Sequence, residues 1–336
     1  STPTARPSWR AETLVSIART GAAVTPETGD GGSATEAIVV RRRRGRTSHA
    51  RRRARTIGLL FAAPGLLIYA GVVLWPLVQS LQYSFYKWDG ISASTWVGFQ
   101  NYLNFFTDPV LRSTLGNVLV LIVFFAVLPI ALGLLSAALI TSGKRPGMAV
   151  YRWIFFLPQV LTSVVIALLF KRMYAPEGPI NEALRAIGLD AFAKNWLGDF
   201  TWALPAVGLI GTWVTFGFCM VLFIAGASSI PPELYEAARM DGAGPVREFF
   251  SVTLPGLRGQ IAVALTLTIT AALRAFDLIW ITTRGGPGTS TLTPAVALYK
   301  AAFVNPDVGQ AAAIGVVMAI LCLIIAVVIT RVSERE

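Results

Sequence analysis

Histidine is nearly missing from this chain: His49 is the single one in 336 residues, and it sits in an arginine-rich segment. There are only two cysteines, Cys219 and Cys322. Each lies in a long apolar run, where a structural disulfide has no place and the side chain serves as a small apolar group. With no Cys/His cluster, neither a zinc site nor a histidine-based catalytic centre has its parts. The phosphate-cradling pattern G-x-x-x-x-G-K-[ST] is absent, so nothing here hydrolyses ATP by that loop. Charge is scarce too, 14% of residues against 54% hydrophobic, which is far more apolar than a soluble domain. No repeat relates the two halves, and Asp277 is the one carboxylate inside an apolar run. A secondary transporter with inverted repeats, broken helices or mid-span carboxylates is therefore the weaker reading.

What the chain has in abundance is apolar sequence. Runs over about 57–78, 115–140, 150–173, 203–225, 260–282 and 310–330 approach or exceed the roughly 20 residues that cross a bilayer. They predict an all-α integral membrane protein with six transmembrane helices, the second kinked at Pro129. The domain organisation read from this is a disordered tail over 1–55 and a six-span domain over 56–336. The formal net charge of +11 comes mainly from Arg41–Arg44, Arg46, Arg51–Arg53 and Arg55 in the tail. The basic pI thus describes the tail and implies no nucleic acid. That cluster can meet anionic membrane lipid, and by the positive-inside rule it holds both termini in the cytoplasm of a multi-pass protein.

Between the fourth and fifth runs lies a polar stretch, 231–259, PPELYEAARMDGAGPVREFFSVTLPGLRG. It reads as a helix–turn–helix. Ser229 is placed to cap the first helix, Pro231 and Pro232 suit its opening turn, and Glu233 and Glu236 suit its positive end. Gly242 stands where a left-handed cap is needed, Gly244-Pro245 opens a second helix with Glu248 in its first turn, and Leu254-Pro255 closes it. Ala237 and Ala238 give the first helix a small-residue face. The charge count puts this stretch in the cytoplasm. The blander alternative is a polar interfacial hairpin with no partner.

The pattern Glu236-Ala237-Ala238, Asp241-Gly242-Ala243 and Leu254-Pro255 resembles the EAA loop of ABC-importer permeases. Further runs are similar to carbohydrate-uptake permeases of the maltose, lactose and glycerol-phosphate type. They are Trp96-Val97-Gly98-Phe99-Gln100-Asn101-Tyr102, Arg152 through Leu157-Pro158, Phe276-Asp277-Leu278-Ile279-Trp280 with Thr282, Gly285-Gly286-Pro287, Leu298-Tyr299 and Ala302-Phe303. Together they cover 57–330, without the extra spans and large periplasmic domain of the larger maltose subunit. The resemblance implies the type I ABC-importer permease fold with a cytoplasmic coupling helix–turn–helix, in a prokaryotic cytoplasmic membrane. It implies a sugar-importing transport subunit that is not an enzyme and binds no cofactor, with ATP and Mg held by a partner. The implied partners are a second permease subunit, two ATP-binding subunits and an extracellular solute-binding lipoprotein. On that reading Glu236, Ala237, Ala238, Asp241, Gly242, Ala243, Leu254 and Pro255 dock the ATPase. An ABC permease for a non-sugar solute shares the loop and is the alternative.

Solute contact asks for polar side chains and stacking aromatics within spans. Gln159, Thr162, Trp213, Thr215, Thr270 and Trp280 meet that description. Arg274 and Asp277, three apart on one expected helix, either pair with each other or meet solute or the second subunit.

Overall fold

The computed structural model describes residues 61–141 and 148–334, so the basic tail and the turn at Lys144-Arg145 lie outside the described residues. The chain divides into two compact units, 1–74 and 75–336, taken here separately. The described part of the first, 61–74, is helical and exposes apolar side chains such as Phe61, Leu67 and Val72.

Among the described residues five helical stretches are long and apolar enough to span a membrane: α1 (Phe61–Tyr83), α3 (Pro109–Leu139), α7 (Ala203–Ala227), α10 (Arg258–Leu273) taken together with the short helix that follows it to Thr282, and α13 (Val308–Ser333). A bent pair, α4 (Met148–Val160) and α5 (Ser163–Met173), accounts for the sixth run. Outside the spans lie a two-residue hairpin (β1 Tyr86–Lys87, β2 Thr95–Trp96), α2 (Gln100–Thr107) and α6 (Pro179–Ala186). Two short helices, α8 (Pro232–Met240) and α9, which starts at Pro245–Glu248, follow α7. A short apolar helix, α12 (Pro294–Val304), precedes α13.

Proline sets much of the local geometry. Among the described residues the π-helical turns are Ala70–Leu74, Val123–Val127, Phe249–Thr253 and Lys300–Val304. Each ends two residues before a proline: Pro76, Pro129, Pro255 and Pro306. A proline lacks an N–H and its ring collides with the carbonyl four residues back, which lies in the middle of each π turn. Widening the helix there moves that carbonyl off the ring. At Pro129 the helix runs on through the π turn, so α3 remains one span. Pro158 has no such turn, and its helix stops two residues later in a 99° bend at 161–162. The third run is thus a broken span and not the single helix expected.

α7 lies at the centre of the second unit, mostly buried against α3, α4 and α10. Lipid tails are as apolar as leucine, so burial from water does little to join helices within a bilayer, and close backbone approach and hydrogen bonds take over. The glycines of α7 supply that approach. A Cβ at Gly208 or Gly211 meets the rings of Phe124 or Phe125, and one at Gly217 meets the Phe155 carbonyl. The packed core includes Phe105, Leu121, Ile166, Val207, Ile210, Ile279 and Ile314 on one side. Met220, Phe223 and Leu257 fill the other.

The loops between spans are held by buried amides. Asn101, 4% exposed, donates from its amide to the carbonyls of Ser84 and Tyr86, and Gln310 of α13 donates to the Asn101 carbonyl. The Trp96–Tyr102 run is thereby explained as packing: Phe85 stacks on Trp96, and Tyr102 hydrogen-bonds Ser84 at 2.6 Å. Asn181, fully buried, donates to the carbonyls of Ala175, Pro176 and Lys194 and accepts from the Lys194 N–H and the Trp196 indole. One side chain thus ties together the 174–202 connection.

Candidate functional site

The polar stretch after α7 forms a helical hairpin. α8 ends in a Schellman motif: Gly242 lies at φ +75°, its N–H bonds the Arg239 carbonyl at 3.0 Å, and the Ala243 N–H reaches the Ala238 carbonyl at 2.9 Å. α9 then runs from Pro245 through the π turn Phe249–Thr253 to Leu254–Gly256. It stops one residue past Pro255, and the fully buried Leu257 anchors it in the core before α10 begins. Ser229 does not cap α8 as expected. Its hydroxyl turns back to the Gly226 carbonyl at 2.6 Å, and Pro231 occupies the N-cap position without a side-chain bond.

The hairpin has two faces. Tyr235, Ala238, Ala243, Glu248 and Thr253 turn inward, half-buried or buried, while Glu236, Ala237, Asp241 and Gly242 are exposed. The Ala237-Ala238 pair therefore splits, with only Ala237 on the outer face. Leu254 is half-buried and Pro255 exposed. Sequence reasoning missed an apolar rim beside these residues: Met240 is 89% exposed, Val246 72% and Phe250 61%. Hydrophobic residues on an expected polar hairpin are the signal that could have found it.

A second set of predicted residues gathers where spans are interrupted. α10 stops at Leu273, Arg274 occupies its C-cap, and a short helix, α11 (Asp277–Thr282), restarts after Phe276. The break separates Arg274 from Asp277, both are exposed, and they form no ion pair with each other, contrary to the expectation of one helical face. Thr162 stands at the elbow between α4 and α5, with Gln159 exposed one turn before it. α5 packs along α11, so the second halves of the two broken spans lie side by side.

Aromatic rings line α11. Trp280 stacks on Phe276 with centroids 5.8 Å apart and meets Tyr299 at 4.6 Å, and the Arg284 guanidinium lies 5.9 Å from the Trp280 ring. Tyr299 continues to Phe303, which is 72% exposed. The expected Phe276–Trp280 and Leu298–Phe303 runs are thus one cluster. Trp213 stands on α7 against Phe170 of α5, centroids 5.4 Å apart.

Two of the nominated hydroxyls are engaged with backbone. Thr270 bonds the Thr266 carbonyl at 2.6 Å, and Thr215 bonds the carbonyls of Gly211 and Phe125 at 2.7 and 3.3 Å. Among the described residues no group of three or more His, Cys, Asp or Glu side chains could hold a metal ion.

Comparison with known proteins places this geometry. Residues 129–336 match the family model described as "Binding-protein-dependent transport system inner membrane component". The chain is 37% identical to the probable ABC transporter permease protein YurN of Bacillus subtilis, covering 80% of this chain and 92% of that protein. It is also 37% identical to the diacetylchitobiose uptake system permease protein NgcF of Streptomyces coelicolor, covering 83% and 82%. Among solved structures, a chain of a bacterial ABC transporter involved in import of the acidic polysaccharide alginate superposes with a TM-score of 0.72 at 24% identity. That superposition covers 86% of this chain and 99% of the other.

Proposed function

Since this chain belongs to the family of binding-protein-dependent transport system inner membrane components, we propose that it is the membrane-spanning permease of an ATP-driven importer of a sugar or sugar derivative. It is a multi-pass membrane transport component and not an enzyme. The observation that carries the reading is the hairpin between α7 and α10. It is a capped, outward-facing element with an exposed apolar rim, joined directly to two spans.

The chain has no nucleotide-binding loop, so its energy arrives through a docked partner. Glu236, Ala237, Asp241 and Gly242 form the outer face offered to an ATP-binding subunit, with Met240, Val246 and Phe250 beside them. Ala238, Ala243, Leu254 and Pro255 hold that face in shape. When two such subunits close on ATP and Mg, the hairpins are drawn together and the spans rock between inward- and outward-facing arrangements. Both termini and the hairpin lie in the cytoplasm on this reading. A second permease subunit completes the pathway, and an extracellular solute-binding lipoprotein delivers the solute.

Interrupted helices are the usual place for a transporter's solute site, because a break frees polar backbone within the membrane. The elbow at Thr162 and the break at Arg274–Phe276 both qualify, and the second halves of these broken spans pack together. Gln159, Thr162, Trp213, Thr215, Thr270, Arg274, Asp277 and Trp280 remain the candidates for lining the path. Trp280 with Phe276 and Tyr299 offers the flat apolar surface on which a sugar ring stacks. Broken helices also occur in secondary transporters, so this feature alone does not separate the classes; membership of the family does.

The test is reconstitution of the complete importer in proteoliposomes with a panel of oligosaccharides, diacetylchitobiose and lactose included. ATP-dependent uptake of one of them supports the reading. Uptake only of an amino acid or peptide would replace the sugar assignment.

A further inference from the structure

The hairpin carries two polar bridges that neither docking nor solute binding requires. At its tip the Arg239 guanidinium grips Glu248 with two bonds, Nε to Oε2 at 3.0 Å and Nη2 to Oε1 at 3.2 Å. Nearer its base the Tyr235 hydroxyl meets the Thr253 hydroxyl at 3.2 Å. Tyr235 and Arg239 are four residues apart, hence on one face of α8, and both reach across to α9. The Glu248 side chain is 16% exposed and Thr253 2%, so the receiving ends are sheltered. The Glu248 carboxylate holds the Arg239 guanidinium more firmly in its charged form, raising its pKa.

The root of the hairpin is narrow by contrast. A Cβ on Gly256 would stand 2.6 Å from Ile230, so the two chain ends lie in close contact where they enter α7 and α10. A push on α8 alone would bend the hairpin at the Gly242–Gly244 turn and leave α9 behind. A push on a cross-braced pair moves both helices, and so α7 and α10 together.

We propose that Arg239 and Glu248, with Tyr235–Thr253 as a second rung, are positioning residues that lock α8 and α9 into one rigid lever. The planar guanidinium holds both carboxylate oxygens and thereby fixes an angle, which a single contact does not. The inference rests on the reading of the hairpin as the ATPase-docking element, and concerns the contact between its two helices, whose Arg239 side chain is itself 59% exposed.

The test uses the complete importer with spin labels at Glu233→Cys and Ser251→Cys, both exposed and one on each helix, and with Cys219 and Cys322 changed to alanine. The width of the inter-label distance distribution is read by pulsed electron resonance, without nucleotide and with Mg-ATP and vanadate. The expected result is a narrow distribution in the parent, at least twofold broader in Arg239→Ala and Glu248→Ala. The exchanged pair Arg239→Glu/Glu248→Arg should restore it. ATP-binding subunits should co-purify with all variants. An unchanged width in the single variants, or no restoration by the exchanged pair, overturns the lever. Loss of the ATP-binding subunits in Arg239→Ala with unchanged width would make the pair a docking contact and also overturn it. If those subunits do not co-purify even with the parent, the docking reading fails, whatever the widths.

Discussion

The Thr212 hydroxyl on α7 donates to the Phe124 carbonyl in the π turn of α3 at 2.6 Å. The acceptor is one of the carbonyls that the π turn and Pro129 leave short of a helical partner, so one span supplies what another's proline removes. Thr212→Val should therefore lower the melting temperature in detergent, by about 0.6–2 kcal/mol of stability for an interhelical bond in a membrane protein. Pro129→Ala in the same chain should reduce that loss, because the helix can then close its own ladder. Equal losses in both backgrounds would detach Thr212 from the proline.

Gly217 faces the Phe155 carbonyl so closely that even one methyl group cannot enter. Gly217→Ala should separate α7 from α4, at about 1–3 kcal/mol for overpacking. Gly116, which has open space around its Cβ position, is the control: Gly116→Ala should leave stability unchanged or raise it. Thermal melts of the two variants check this.

Asn181 satisfies two segments at once, and removing its amide leaves several buried backbone groups without partners. Asn181→Leu should expose the 174–202 connection to limited proteolysis at least tenfold faster, at about 1–3 kcal/mol for an unsatisfied buried group. The spans should remain inserted.

How much of this was legible beforehand differs by feature. Gly242 could be read because backbone chemistry alone dictates it: a positive φ favours glycine. The spans could be read because their length is set by the bilayer. The breaks at Leu161–Thr162 and Arg274–Phe276 could not, since both lie within apolar runs whose hydropathy does not register a bend. Nor could the fate of each proline: Pro129 and Pro158 look alike in sequence, and only the π turn beneath one distinguishes them. Arg239 and Glu248 are nine apart across a turn, a spacing that no helical periodicity flags. Thr270 reads in the sequence as a solute contact, yet its hydroxyl bonds its own helix four residues back, as do those of Thr266 and Thr268.

Trp280 separates the solute-path reading from simple packing. With the transported oligosaccharide identified, Trp280→Ala should raise the KM for import at least tenfold while Trp280→Phe, which keeps a stacking ring, raises it far less. Similar KM values in both variants, with only lower protein yield for alanine, would assign Trp280 to packing against Phe276 and Tyr299.

The most direct measurement is oligosaccharide-stimulated ATP hydrolysis by the complete importer in proteoliposomes, with the parent chain and with Glu236→Lys and Gly242→Pro. Glu236 lies on the exposed face of α8, and Gly242 at φ +75° holds a conformation that proline cannot adopt. Stimulation should disappear in both variants while each inserts in the membrane at parental levels. Normal stimulation in both would contradict the hairpin's role as the element that receives the work of ATP hydrolysis.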